Sequence, residues 1–214
     1  MTDSPAYAYL GRWNYSLQKP VPDESWIAAD EAQAGLAAGA IRCDIVPGEV
    51  FTRRDERPRP STPWVITAFG GGVTAFKVFT LEPRGSISRI VHFKNLEGRL
   101  FRSAVIEYTY PDATRFYAQY DCVSVRDARF KPNGTGFLTI DENSRPAVEQ
   151  HSFDQIDVSG NWLDRPAFGD WHVLLDPDFG ARPTAPHVEA TDPALTKRPF
   201  VSSLRSSLRN RFSK

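Results

Sequence analysis

The sequence predicts a mainly β protein: an antiparallel β-barrel of about eight to ten strands, with a short helix after the first strand and an irregular C-terminal extension. Three observations carry that prediction. Residues 86–140 read as an almost unbroken antiparallel meander, in which SISRIVHFK, LFRSAVIEYTY, RFYAQYDCVSVRDARF and GFLTIDE are divided by the turn stretches NLEG, PDAT and KPNGTG. Aromatic residues reach 12 %, with fourteen Phe, seven Tyr and five Trp, a composition that suits strands and apolar sites. In RFYAQYDC both alternating faces are mixed, which points to polar groups aimed into an enclosed interior rather than a dry core. A split barrel or two-sheet sandwich is the alternative architecture.

In chain order, residues 7–18 alternate as a first strand. After Pro22, DESWIAADEAQAGLAAGAI is a helix candidate, with Asp23 or Ser25 as cap and Gly35 and Gly39 limiting it to about three turns. IRCDIV, a turn at Pro47-Gly48 and EVFTRR follow, then a charged, proline-rich loop over residues 53–63. PWVITAF and VTAFKVFTLE flank Gly70-Gly71-Gly72. A phosphate loop would open onto a helix there, whereas the β-branched and aromatic run VTAFKVFTL makes it a hairpin turn or bulge. AVEQHSFDQIDV and WHVLLD are read as closing strands, separated by SGNWLDRPAFGD, whose aromatics form a satellite hydrophobic cluster or grip a flat ligand. The organisation is therefore a barrel domain over 1–176, a proline-rich linker over 177–196 and a basic tail over 197–214.

Net charge is zero, but unevenly distributed. The tail carries six basic and no acidic side chains, leaving the body with 20 basic against 26 acidic residues, which argues against nucleic acid as a partner of the main domain. Val201, Leu204, Leu208 and Phe212 recur at helical spacing in the tail, so it is expected either as a disordered basic segment or as an amphipathic helix making weak contact with an anionic membrane or an acidic partner. Cys43 and Cys122 read as free buried thiols of a reducing, cytoplasmic setting rather than one disulfide. The N-terminal residues lack a basic n-region and apolar h-region, and no run of eighteen apolar residues occurs. HExxH, HxH and paired-cysteine spacings are absent, as is G-x-S-x-G; His151, Asp154 and Asp157 alternate faces in a strand and do not converge.

The chemistry then falls to the meander. Glu107, enclosed among Val105 and Thr109, would have a raised pKa and work as acid or base. Tyr117 and Tyr108 serve as hydrogen-bond donors and Arg115 as an anion stabiliser, with Asp121 and His92 in the same group. Trp13, Trp64, Phe76 and Gln119 complete the ligand-binding wall. The plainer alternative is that these side chains face solvent while the opposite face packs the core. The functional expectation is a metal- and cofactor-independent biosynthetic enzyme, of cyclase, isomerase or lyase type, acting on a hydrophobic metabolite. Its rival is a non-catalytic carrier or interaction module recruited through the basic tail. Both admit a homodimer.

Gly11-Arg12-Trp13, a helix and then an antiparallel meander together resemble calycin-type barrels, the group of lipocalins, fatty-acid-binding proteins and bilin lyases. In that group the G-x-W tryptophan closes one barrel end beneath a short helix. The resemblance covers three residues and an element order. The family's basic partner near the last strand has no counterpart in WHVLLD, and Arg182 lies in the extension. The resemblance implies an apolar or amphipathic small ligand inside the barrel.

Overall fold

In the computed structural model, which describes residues 6–55, 61–72 and 74–180, most of the chain belongs to one antiparallel sheet of eleven strands. In chain order the elements are β1 (Tyr7–Leu10), β2 (Trp13–Asn14), β3 (Lys19–Pro20), β4 (Trp26–Ile27), α1 (Ala29–Ala37), β5 (Arg42–Pro47), α2 (Gly48–Thr52), β6 (Trp64–Phe69), β7 (Thr74–Leu81), β8 (Ile87–Leu96), β9 (Arg99–Thr109), β10 (Ser124–Phe130), β11 (Gly136–Glu142), β12 (Glu149–Phe153) and β13 (Trp162–Asp164). The ladder runs β12-β11-β10-β9-β8-β7-β6-β5-β1-β4, β13 pairs the start of β9, and β2–β3 form a separate ribbon. Among the described residues no ladder joins β12 to β4.

Register explains the two faces. Ile27, Tyr9, Ile45, Ile66, Val78, Val91, Val105, Ala128, Leu138 and His151 lie opposite one another in turn, giving an apolar row across ten strands. Because side chains alternate along a strand, the neighbouring residues project to the other face. There Asp44, Thr67, Lys77, His92, Ala104 and Arg129 form one row, and Val65, Phe79, Ile90, Ile106, Asp127 and Thr139 the next. One face is thus apolar along its centre; the other is mixed.

The apolar face is covered by Ala32 and Leu36 of α1 and by residues 168–179. Phe168 stacks on Tyr9 at 5.0 Å, Trp171 meets Phe76 at 5.6 Å, and Phe179 meets Phe93 at 5.9 Å. The Trp171 indole N–H donates to the Tyr9 hydroxyl at 3.1 Å. The loop aromatics therefore form the hydrophobic cluster expected of them. WHVLLD itself is a 3-10 turn over Trp171–Leu174 rather than a closing strand, because Trp171 and Leu174 gain more by burial against the sheet than an edge ladder offers.

Other elements depart from expectation for local reasons. The run 7–18 breaks after Leu10: the Gly11 N–H donates to Ser25 O, and the Trp13 N–H is drawn to the Asp44 carboxylate at 2.8 Å. Asp23 and Ser25 do not cap the helix, since Trp26–Ile27 pair with β1 instead, and α1 starts after Ala28 with Asp30 and Glu31 in its first turn. Gly39, at φ +70°, follows its end. EVFTRR is the short helix α2, which places Val50 in a core. The glycine hairpin between β6 and β7 is as expected. A side chain at Gly70 would stand 2.9 Å from the Gly39 Cα, so the close approach of these backbones requires glycine.

The largest difference is RFYAQYDC. Residues 111–123 form a loop with a 3-10 turn at Gln119–Asp121, and the strand begins only at Ser124. Asp112 accepts from the Thr114 backbone N–H at 2.8 Å, an Asx turn that competes with the ladder. The Tyr117 N–H donates to Ser86 Oγ at 2.7 Å, and its ring stacks on Tyr110 at 5.7 Å. Residues 177–180 still pack on the sheet, with the Arg89 guanidinium donating to Pro177 O at 3.0 Å and Arg102 to Phe179 O. The remaining linker and the basic tail lie outside the described residues.

Candidate functional site

The predicted site residues divide between the two faces and a loop. Glu107 does not join the group. It sits opposite Arg89 and Arg126, in a row on the apolar-face side of the sheet, is 53 % exposed, and stands 4.0 Å from the Arg126 Nε. Residue 107 differs in parity from Ala104, the partner of His92, so Glu107 and His92 project from opposite faces. Asp121 is exposed and accepts from the Ala118 N–H at 3.2 Å, closing the 3-10 turn. Arg115 is also exposed, with its guanidinium 4.6 Å above the Tyr117 ring. Tyr117 is buried in the loop and donates its hydroxyl to Asp112 at 2.8 Å.

The expected aromatic wall also separates. Phe76 is buried under Trp171, and Trp64, 6.1 Å from Tyr7, belongs to the same apolar-face cluster. Trp13 lies in the other core, with Leu10, Val46 and Val50, a core that also holds Ile90, Ile106 and Tyr108 of the mixed face.

Two predicted residues, His92 and Tyr108, share the mixed face, and Gln119 of the loop hydrogen-bonds Tyr108. His92 occupies the row between Lys77 and Ala104, next to a register shift in the β8–β9 pair. Such irregularities re-aim side chains, and here the Ser103 hydroxyl donates to the His92 carbonyl at 3.3 Å. Burial, reinforced by Lys77, Arg129 and Lys94, lowers the His92 pKa to about 4. Tyr108 lies two residues beyond Ile106 on the same face. Burial, with Asp127 and Cys122 adding to it, pushes its hydroxyl up to about 12, while a hydrogen bond with Gln119 acts in the opposite direction.

The register supplies neighbours that sequence alone did not single out. Phe79, Ile90 and Ile106 form an apolar row between His92 and Tyr108; Ile90, Ile106 and Tyr108 are buried with Trp13, Leu81 and Val125, and the half-buried Phe79 ring packs on Tyr15 at 5.4 Å. Asp127 and Arg129 face it from β10 and are tied together, with guanidinium N–H groups donating at 2.6 and 2.7 Å. A neutral imidazole, a protonated phenol and a carboxylate–guanidinium pair beside apolar side chains can orient a bound molecule and exchange protons with it.

His92 gives a pH test. Its folded pKa lies below the ordinary 6.5, so the unfolded chain takes up the proton first, and stability falls as pH drops from 6.5 toward 4. Urea unfolding of His92→Gln is expected to be flatter than wild type across that window, by about 1–2 kcal/mol after discounting for partial exposure. Equal slopes would remove the electrostatic assignment.

A second polar centre is structural in character. Asp44, 1 % exposed, accepts from the Trp13 N–H at 2.8 Å and from the Thr67 hydroxyl at 2.5 Å, with Arg42 at 3.7 Å. Burial raises its pKa above the usual carboxylate value, and those two hydrogen bonds oppose the rise. Both cysteines are free and buried; burial pushes Cys43 up to about 12 and Cys122 up to about 11, which leaves them protonated at neutral pH. Among the described residues no cluster of three or more His, Cys, Asp or Glu could hold a metal ion, and no helix is long and apolar enough to cross a membrane.

Comparison with family models, with curated proteins and with solved structures finds no match in any of the three.

Proposed function

We propose that this chain binds a small apolar or amphipathic molecule against the strip formed by Phe79, Ile90, Ile106 and Tyr108, in the manner of a calycin-type carrier. The supporting observation is the coincidence on one face of two groups with shifted titration, His92 and Tyr108, at either end of one apolar row that runs from Phe79 to Ile106. Retaining ionisable groups at a half-buried position (His92) and a buried one (Tyr108) costs stability, which favours a binding role over simple packing. A catalytic version, a metal-independent isomerase or lyase, is favoured by His92 alone. Held neutral near pH 7, it is a proton acceptor facing the strip, with Tyr108 as donor.

The test uses N-phenyl-1-naphthylamine, a neutral probe that fluoresces in apolar surroundings. Saturable one-to-one binding is expected. Phe79→Ala should weaken it about tenfold, roughly the loss of one aromatic contact, and Glu107→Gln should leave it unchanged. Non-saturating fluorescence, or equal affinity in a folded Phe79→Ala variant, contradicts the reading.

A further inference from the structure

We infer that the molecule taken by this strip is an organic anion, with its charged group at the Lys77–His92–Arg129 end and its apolar body running over Phe79, Ile90 and Ile106 toward Tyr108. This rests on the proposed binding strip and adds a direction and a charge to it.

Lys77, His92 and Arg129 occupy a single row, separated only by Ala104, whose methyl group adds little bulk between the imidazole and the guanidinium. Lys94 is close enough to His92 to oppose its protonation, as do Lys77 and Arg129. Three cations therefore surround one neutral imidazole. Among the described residues Asp127, one row along beside Ile106, takes two of the N–H donors of Arg129 and holds its planar fork in place. Asp44 lies two strands along the row and is engaged by Trp13, Thr67 and Arg42.

The opposite end has the reverse character. Val125, opposite Tyr108, pairs in turn with Asp141. Asp141 and Asp121 both raise the Cys122 pKa, and Asp121 and Glu82 raise that of Tyr110, so the field there is negative. A ligand with one anionic group is thus drawn to the His92 end and repelled from the Tyr108 end. The two ends are four residues apart along β9, or about 13 Å at the usual strand rise, a length suited to a fused-ring body or a medium chain.

The experiment compares two probes with the same ring skeleton, neutral N-phenyl-1-naphthylamine and anionic 1-anilinonaphthalene-8-sulfonate, on the full chain. Lys77→Met is expected to weaken the sulfonate about fivefold and leave the neutral probe within about twofold, consistent with loss of one partly screened charge. Asp127→Asn, which releases Arg129 from its counter-charge, is expected to tighten the sulfonate about threefold without helping the neutral probe. That gain is not what loss of a merely structural carboxylate would produce. If both probes move together in both variants, or neither moves, the anion assignment is wrong while the strip stands. If neither probe binds wild type, the strip itself is wrong and the inference falls with it.

Discussion

Asp44→Ala is expected to destabilise the fold by about 3–4 kcal/mol in urea unfolding at pH 7, because it strands two buried donors at once. The carboxylate is the acceptor for the Trp13 backbone N–H and for the Thr67 hydroxyl, which joins the β2–β3 ribbon to the middle of the sheet. Thr67 is fully buried and Trp13 nearly so, so water does not readily replace the lost acceptor. The loss is partly offset, since burial already penalises the ionised carboxylate and raises its pKa. Asp44→Asn escapes that penalty, keeps one acceptor oxygen and should cost about 1–2 kcal/mol. Equal losses in the two variants would mean that charge, rather than hydrogen-bond acceptance, is what the site requires.

Trp171→Ala is expected to cost about 3–5 kcal/mol, the range for truncating a large buried aromatic. Its ring is 3 % exposed and lies between Phe76 and Phe168, with ring centroids at 5.6 and 5.5 Å. Its indole N–H reaches Tyr9 across 162 residues of sequence. Trp171→Phe keeps most of the packing but leaves the Tyr9 hydroxyl without that donor, for an expected loss of about 1 kcal/mol. Hydrogen exchange should show the protection of β1 and β7 falling together in the alanine variant. Unchanged stability would mean that residues 168–179 do not cover the apolar face.

Much of the sheet is legible in the sequence, for a specific reason. β8 to β11 are bounded by strong turn signals, and the glycine hairpin after β6 is followed by residues that form a strand well. Legibility fails where side-chain chemistry overrides alternation. RFYAQYDC alternates as well as a strand, but the Asx turn at Asp112, the docking of Tyr117 on Tyr110 and its bond to Ser86 hold it off the ladder. Trp26 and Ile27 look like the first turn of a helix and instead pair with β1, because an extended partner was already waiting there.

Of the residues singled out in the sequence, Gln119, in a loop rather than a strand, hydrogen-bonds Tyr108, and His92 and Tyr108 project from the mixed face. Glu107 does not, and the reason is a single residue of parity: next to Tyr108 on the strand, it points the other way. Lys77, Phe79, Asp127 and Arg129 were missed because their meeting depends on the relative register of β7, β8, β9 and β10. A signal was present in the i, i+2 spacing of Lys77 with Phe79 and of Asp127 with Arg129, which marks one polar face on each strand.

Methyl NMR tests most directly whether the mixed face binds the ligand. Protein carrying labelled Ile and Val methyls is titrated with N-phenyl-1-naphthylamine. Concerted shifts of Ile90, Ile106 and Val125 are expected, with Ile45, Ile66 and Val78 on the opposite face unmoved. Shifts confined to Ile45, Ile66 and Val78 would place the ligand on the apolar face and contradict binding at the mixed one.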